Sequence, residues 1–135
     1  MTEQSALDTQ VDGNHYKRLK IQPLELAYLI GATPCFTKLA KYTTRDKGDR
    51  IINLDKAIHC IRIEHELYVK SPEYMRKSYN IFESPDRIDQ ATFLIDLFSD
   101  DEDIRDALKY MLKQQYHHAI YAVQRLKKRV QDGGE

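Results

Sequence analysis

The chain has 135 residues, 41% of them hydrophobic and 31% charged, and its 21 lysines and arginines balance 21 aspartates and glutamates. That length buries one hydrophobic core without disulfide or metal staples. A net charge of zero gives no global support for adhesion to nucleic acid or an anionic membrane, so nucleic acid is an unexpected partner and any basic function must be local. No run approaches the roughly 18 apolar residues of a membrane span, and the start, MTEQSALDTQVDG, is polar and partly acidic rather than a signal sequence, so a cytoplasmic protein with no membrane partner is expected.

Residues 1–12 lack hydrophobic periodicity and are expected to be a mobile tail, ahead of a single helical domain over 13–130 and a short tail over 131–135. Asp12-Gly13-Asn14 is a turn signal, followed by a short extended connector that ends at Gln22-Pro23. Leu24, Ala27, Tyr28 and Ile30 then support a short helix that stops near Gly31, and Thr33-Pro34 restarts the chain. In the helix that follows, Phe36, Leu39, Ala40 and Thr43 share a core-facing side, while Lys38, Lys41 and Arg45 fall three and four apart on another. Asp46-Lys47-Gly48-Asp49 breaks the pattern, with Gly48 suited to a positive φ.

A long helix is predicted from about Arg50 to Lys70, with Ile51, Leu54, Ile58, Ile61, His65 and Tyr68 as its apolar stripe, Ala57 and Leu67 widening it, and Asp55 and His59 one turn apart beside it. His65 is read as a partly buried, hydrogen-bonded residue. Ser71-Pro72-Glu73 and Ser84-Pro85-Asp86 each look like a helix start, the first opening a short helix to about Tyr79, the second one that carries Ile88, Ala91, Leu94, Ile95 and Phe98 on one face. The acids of Ser99-Asp100-Asp101-Glu102-Asp103 are explained by capping and the helix dipole better than by a metal. One last helix is predicted over about Asp101 to Val130, with Ile104, Leu108, Met111, Ala119, Ala122 and Leu126 inside and Tyr110, Gln114, His117 and Tyr121 as a polar aromatic stripe, a binding wall or a subunit contact. Its closing cations, Arg125, Lys127, Lys128 and Arg129, complement the end of the helix dipole. The expectation is an all-α, compact bundle of five or six helices, with Cys35 and Cys60 as reduced core residues.

No GxxxxGK[ST] loop, dinucleotide fingerprint, GxSxG, HExxH or repeated CxxC occurs, and Glu64 and Glu66 do not make the paired EExxE acids of all-helical pyrophosphatases. A Walker-type ATPase is therefore excluded, and no metal-ligating set is assigned. What remains is local charge: between His15 and Lys47, the seven cations Lys17, Arg18, Lys20, Lys38, Lys41, Arg45 and Lys47 face only Glu25 and Asp46. Such a concentration in a neutral protein suits a compact anion such as a phosphate group, and it is equally the composition of a solvated helix face.

Asn14-His15-Tyr16-Lys17, Ile21-Gln22-Pro23-Leu24-Glu25, Phe36, Lys41-Tyr42 with Arg45, and Leu54-Asp55-Lys56-Ala57 stand in the order HYK, I-x-P-x-E, F, KY-x-x-R, DLxKA. This pattern resembles a small bacteriophage and prophage family usually labelled nucleotide kinase, over about residues 14–68; here Asn53 takes the place of the family's first acid. The resemblance implies a nucleotide ligand, with phosphoryl transfer to a deoxynucleoside monophosphate from ATP with Mg2+, without a P-loop, in the cytoplasm of a bacterial host. It makes Lys41 and Arg45 the groups on the moving phosphoryl, with Asp55 holding magnesium or orienting the acceptor. Lys38, Lys47 and Lys56 would add phosphate contacts, Lys17 would belong to the substrate-binding set, Tyr16 or Tyr42 would stack on a base, and His15 and His59 would bond sugar or phosphate. The alternatives are a phage protein that sequesters a nucleotide unchanged and a helical module that binds an acidic protein. A homo-oligomer is expected, because a short helical unit with a half-exposed aromatic stripe tends to cover it with a copy of itself.

Overall fold

The computed structural model describes residues 20–73 and 85–133. Among them run six helices and no strand: α1 (Pro23–Ile30), α2 (Pro34–Thr44), α3 (Arg50–Lys70), α4 (Pro85–Phe98), α5 (Glu102–Leu112) and α6 (Tyr116–Gln131). The protein is all-α, as its periodicity predicts. The tail 1–12, the HYK motif and most of the short helix expected after Ser71 lie outside the described residues.

Local chemistry sets the helix ends. Gly31 closes α1 at φ 72°, and its amide donates to the carbonyls of Ala27 and Tyr28. Thr33 caps α2 by accepting from the Phe36 amide, with Pro34 at the first helical position. Asp49 caps α3 through the Ile52 amide, directly after Gly48 at φ 79°. Each of these stops and starts removes an orphan backbone group that would otherwise be left unpaired at a helix end.

The 21-residue α3 is the central helix and packs on both α2 and α6, while α5 and α6 pack along one another. Leu54, Ala57 and Ile61 of α3 share one buried core with Phe36, Leu39 and Ala40 of α2, and Ile95, Phe98, Leu108, Met111, Val123 and Leu126 complete it, all essentially inaccessible. Cys60 is buried, Cys35 half-buried, and both are free thiols.

Two expectations are corrected. The predicted helix over 101–130 is two helices: Lys113, Gln114 and Gln115 form a turn in which Gln114 takes φ 59°. The inner residues Met111 and Ala119 stay buried across it, so the turn folds α6 back along α5 without changing which side chains enter the core. It also dissolves the stripe of Tyr110, Gln114, His117 and Tyr121, since Tyr110 now belongs to α5 and tilts against the His118 ring at 5.1 Å. In α1 the buried side is Pro23, Leu26, Ala27 and Ile30, leaving Leu24 and Tyr28 exposed.

Candidate functional site

A cleft of about 530 Å³ opens where the end of α2, the α2–α3 turn and the α4–α5 junction meet, walled by Thr43, Thr44, Arg45, Arg50, Phe98, Ser99, Asp101 and Ile104, with Lys20, Asp46 and Asp100 also lining it. Its size lies within the range of small-molecule sites, roughly 300 to 1,000 Å³. Both walls are helix C-termini held by an arginine from the next helix. Arg50 Nη1 donates to the carbonyls of Tyr42 and Arg45, at 3.3 and 3.4 Å. Arg105 donates to the carbonyls of Ser99 and Asp96. These bonds satisfy last-turn carbonyls and fix the two ends that frame the cleft.

The acidic wall is largely committed. Asp101 accepts from the amides of Asp103 and Ile104 as the cap of α5, and from Arg129 at 2.7 Å. Burial works against the charge of this carboxylate, but Arg129 and the two amides outweigh it and hold its pKa below the usual value. Asp100 is exposed and lies 3.6 Å from Arg105. On the basic wall, Lys20 and Arg45 form no ion pair within 4 Å among the described residues, so their charge is available to a ligand.

Of the sequence-assigned residues that the structure describes, Arg45 alone lines this cleft. Lys41 and Lys56 place their ammonium groups 5.4 and 5.7 Å from the centre of the Tyr42 ring, flanking a half-buried side chain. Asp55 pairs with Lys127 of α6 at 2.7 Å, and with neither His59 nor Lys56. Lys38 lies near the two thiols and opposes the rise of both their pKa values. Lys47 contributes its carbonyl, which accepts from the buried Asn53 at 2.9 Å and ties the turn to α3. Lys47 and His59 are exposed and do not line the cleft. His15, Tyr16 and Lys17 lie outside the described residues.

Two groups of polar residues escape sequence reasoning. Lys20, Arg50, Ser99 and Asp101 come together only through the packing of α2 against α5, which no local spacing encodes. The second group is buried: Glu64, 1% exposed, accepts from the Thr33 hydroxyl and faces Tyr116. Burial and then the charge of Glu64 push the Tyr116 phenol well above its usual range. Its hydroxyl lies near Glu64 and Gln114 without a well-formed hydrogen bond to either. The signal for Glu64 was its register, seven residues after Ala57 and three after Ile61, on the stripe itself. His65, read as a partly buried stripe residue, is half-buried and stacks on Tyr116 at 4.9 Å with His117 edge-on at 5.5 Å.

Among the described residues no three His, Cys, Asp or Glu side chains converge as a metal site. Magnesium at phosphate sites needs only one or two carboxylates beside the phosphates themselves, and Asp100 on the cleft rim fits that limited part. No described helix is long and apolar enough to cross a membrane. No protein-family model, curated protein or solved structure matches the chain.

Proposed function

We propose that this chain binds a nucleoside phosphate in the cleft between the end of α2 and the start of α5, with the phosphate on Arg45 and Lys20. The observation that carries this reading is the placement of Arg45, a cation free of ion pairs among the described residues, on the wall of a cleft of ligand size. A guanidinium can meet two phosphate oxygens through parallel hydrogen bonds, and Lys20 adds a point charge beside it. Arg50 keeps the α2 end in place through its two carbonyl bonds.

The resemblance to the phage nucleotide kinases extends the proposal to phosphoryl transfer between ATP and a nucleoside monophosphate. Magnesium arriving with the triphosphate would neutralise charge on the phosphates, with Asp100 as the carboxylate in reach of the rim. The chain's own part would be positive charge around the transferred group, which Arg45 and Lys20 supply. A second reading, stoichiometric capture of the nucleotide without turnover, is favoured by one observation: Asp55, the residue assigned to orient the acceptor, is held by Lys127.

Calorimetric titration of the full chain with nucleoside mono- and triphosphates, with and without magnesium, tests the reading, followed by product analysis. Binding that Arg45→Ala abolishes, with product, establishes the kinase; the same binding without product establishes capture. Absence of binding at millimolar nucleotide, or binding unchanged in Arg45→Ala, rejects the cleft as the site.

A further inference from the structure

Helix α3 has two faces, and among the described residues one of them packs into the bundle. Asn53, Leu54, Ala57, Ile58, Cys60, Ile61 and Glu64 point inward and are buried. On the opposite side, Ile52, Lys56, His59, Ile63, Glu66 and Lys70 follow one another at alternating steps of four and three. This is the spacing of a helix-pairing seam. Ile52 is 53% exposed and Ile63 37%, and Leu67, expected to widen the inner stripe, is 48% exposed on the outer side instead. Three large aliphatic side chains on one outward stripe are more than solubility calls for.

The charges on the stripe say what covers it. Lys56 lies in its first half and Glu66 in its second. Within one chain they are ten residues apart, about 15 Å along the axis, and cannot meet. Laid antiparallel against a second α3 about a two-fold axis at the level of Ile61, Lys56 of each copy comes beside Glu66 of the other, His59 beside Ile63, and Ile52 beside the stem of Lys70, with Leu67 one turn away. A parallel pairing would set lysine on lysine and glutamate on glutamate. Among the described residues, Lys56 has the Tyr42 ring at 5.7 Å as its partner, and Glu66 the exposed Lys70 at 3.4 Å.

We propose that the outward face of α3 is a homodimer interface, in which two copies pair antiparallel through Ile52, Ile63 and Leu67 with reciprocal Lys56 to Glu66 ion pairs. The self-complementarity is what a two-fold interface requires, each residue meeting its counterpart twice. It gives Lys56 and His59 a place in subunit contact and explains their position outside the cleft. The dimer stands independently of the nucleotide reading, since none of these residues lines the cleft.

Sedimentation velocity of the full chain over a concentration series tests this. The expected result is a species of twice the 15.9 kDa chain mass. Lys56→Glu and Glu66→Lys should each weaken the dimer at least about tenfold, since every lost pair recurs twice across the axis, and the double variant should recover most of that loss. Any effect of Glu66→Lys on its neighbour Lys70 is common to the single and double variants, so recovery reports on contact between copies. Ile63→Asp should give a monomer, with helical circular dichroism confirming that each variant is folded. A wild-type monomer at about 100 µM, a range in which a specific dimer of even micromolar affinity is populated, overturns the proposal. So does a dimer indifferent to both charge reversals, or one lost in Phe93→Asp on α4 and kept in Ile63→Asp.

Discussion

Asp55 of α3 and Lys127 of α6 meet at 2.7 Å, joining the central helix to the last one across 72 residues of chain. The pair is partly exposed, 53% and 28% for the two side chains, so its coupling in a double-mutant cycle should be about 0.5 kcal/mol, in the range of surface pairs. Asp55→Asn should therefore cost little stability and leave nucleotide affinity unchanged, as measured by urea denaturation and calorimetry. A large fall in affinity would return Asp55 to the ligand site.

Arg45 and Arg50, five residues apart, should respond in opposite ways to truncation. Arg50 is bonded to the Tyr42 and Arg45 carbonyls, so Arg50→Ala leaves them short of a donor and should cost about 1 to 2 kcal/mol in a urea melt. Arg45→Ala removes a side chain outside any ion pair among the described residues and should change stability by less than about 0.5 kcal/mol while abolishing nucleotide binding. A stability loss in Arg45→Ala equal to that of Arg50→Ala would make both residues structural.

The network at the start of α5 sets an acid limit. The Asp101 pKa is held low in the folded chain, so its contribution is fully present above the ordinary carboxylate value near 3.8 and is lost as pH falls below it. Asp103 and Asp106 complete the contact by holding Arg125 and Arg129 of α6. Between pH 5 and pH 3 the wild type should lose more stability than Asp101→Asn, which has no such charge to lose. Parallel urea midpoints for the two proteins across that interval would contradict the assignment.

Cys35 should behave as an inert thiol. Burial first, and the charge of Glu64 second, push its pKa up to about 11. At pH 8 its thiolate fraction is then on the order of one in a thousand, and the thiolate is the reactive form. Alkylation by iodoacetamide should run at least about tenfold slower in the folded chain than in urea. Equal rates would place Cys35 in a more open setting.

The sequence carried most of the helical framework because its signals are local. Thr33-Pro34, Gly48-Asp49 and Asp101 act on amides within three residues, so their function can be read from the chain alone. The cleft was not legible in this way: Lys20, Arg45 and Ser99 meet only after α2 has packed on α5. Glu64 was missed because an acid on an apolar stripe looks like a solvent residue until Thr33, thirty-one residues earlier, is found donating to it. The break at Gln114 carries no glycine or proline, yet length gave a warning. A 30-residue helix is about 45 Å long, against a diameter of roughly 36 Å for a compact domain of this size.

That break makes the sharpest stability prediction. Gln114 sits at φ 59°, a region that costs a residue with a Cβ about 1 kcal/mol relative to glycine. Its side-chain amide is buried with no well-formed partner among the described residues, so truncation alone also changes the site. Comparing Gln114→Gly with Gln114→Ala removes this ambiguity, since both delete the amide and only glycine relieves the backbone. Gln114→Gly should be the more stable of the two by about 1 kcal/mol in urea denaturation. If Gln114→Ala is equal or better, α5 and α6 join through residue 114 as a continuous helix, and the fold-back that brings Tyr116 under Glu64 is wrong.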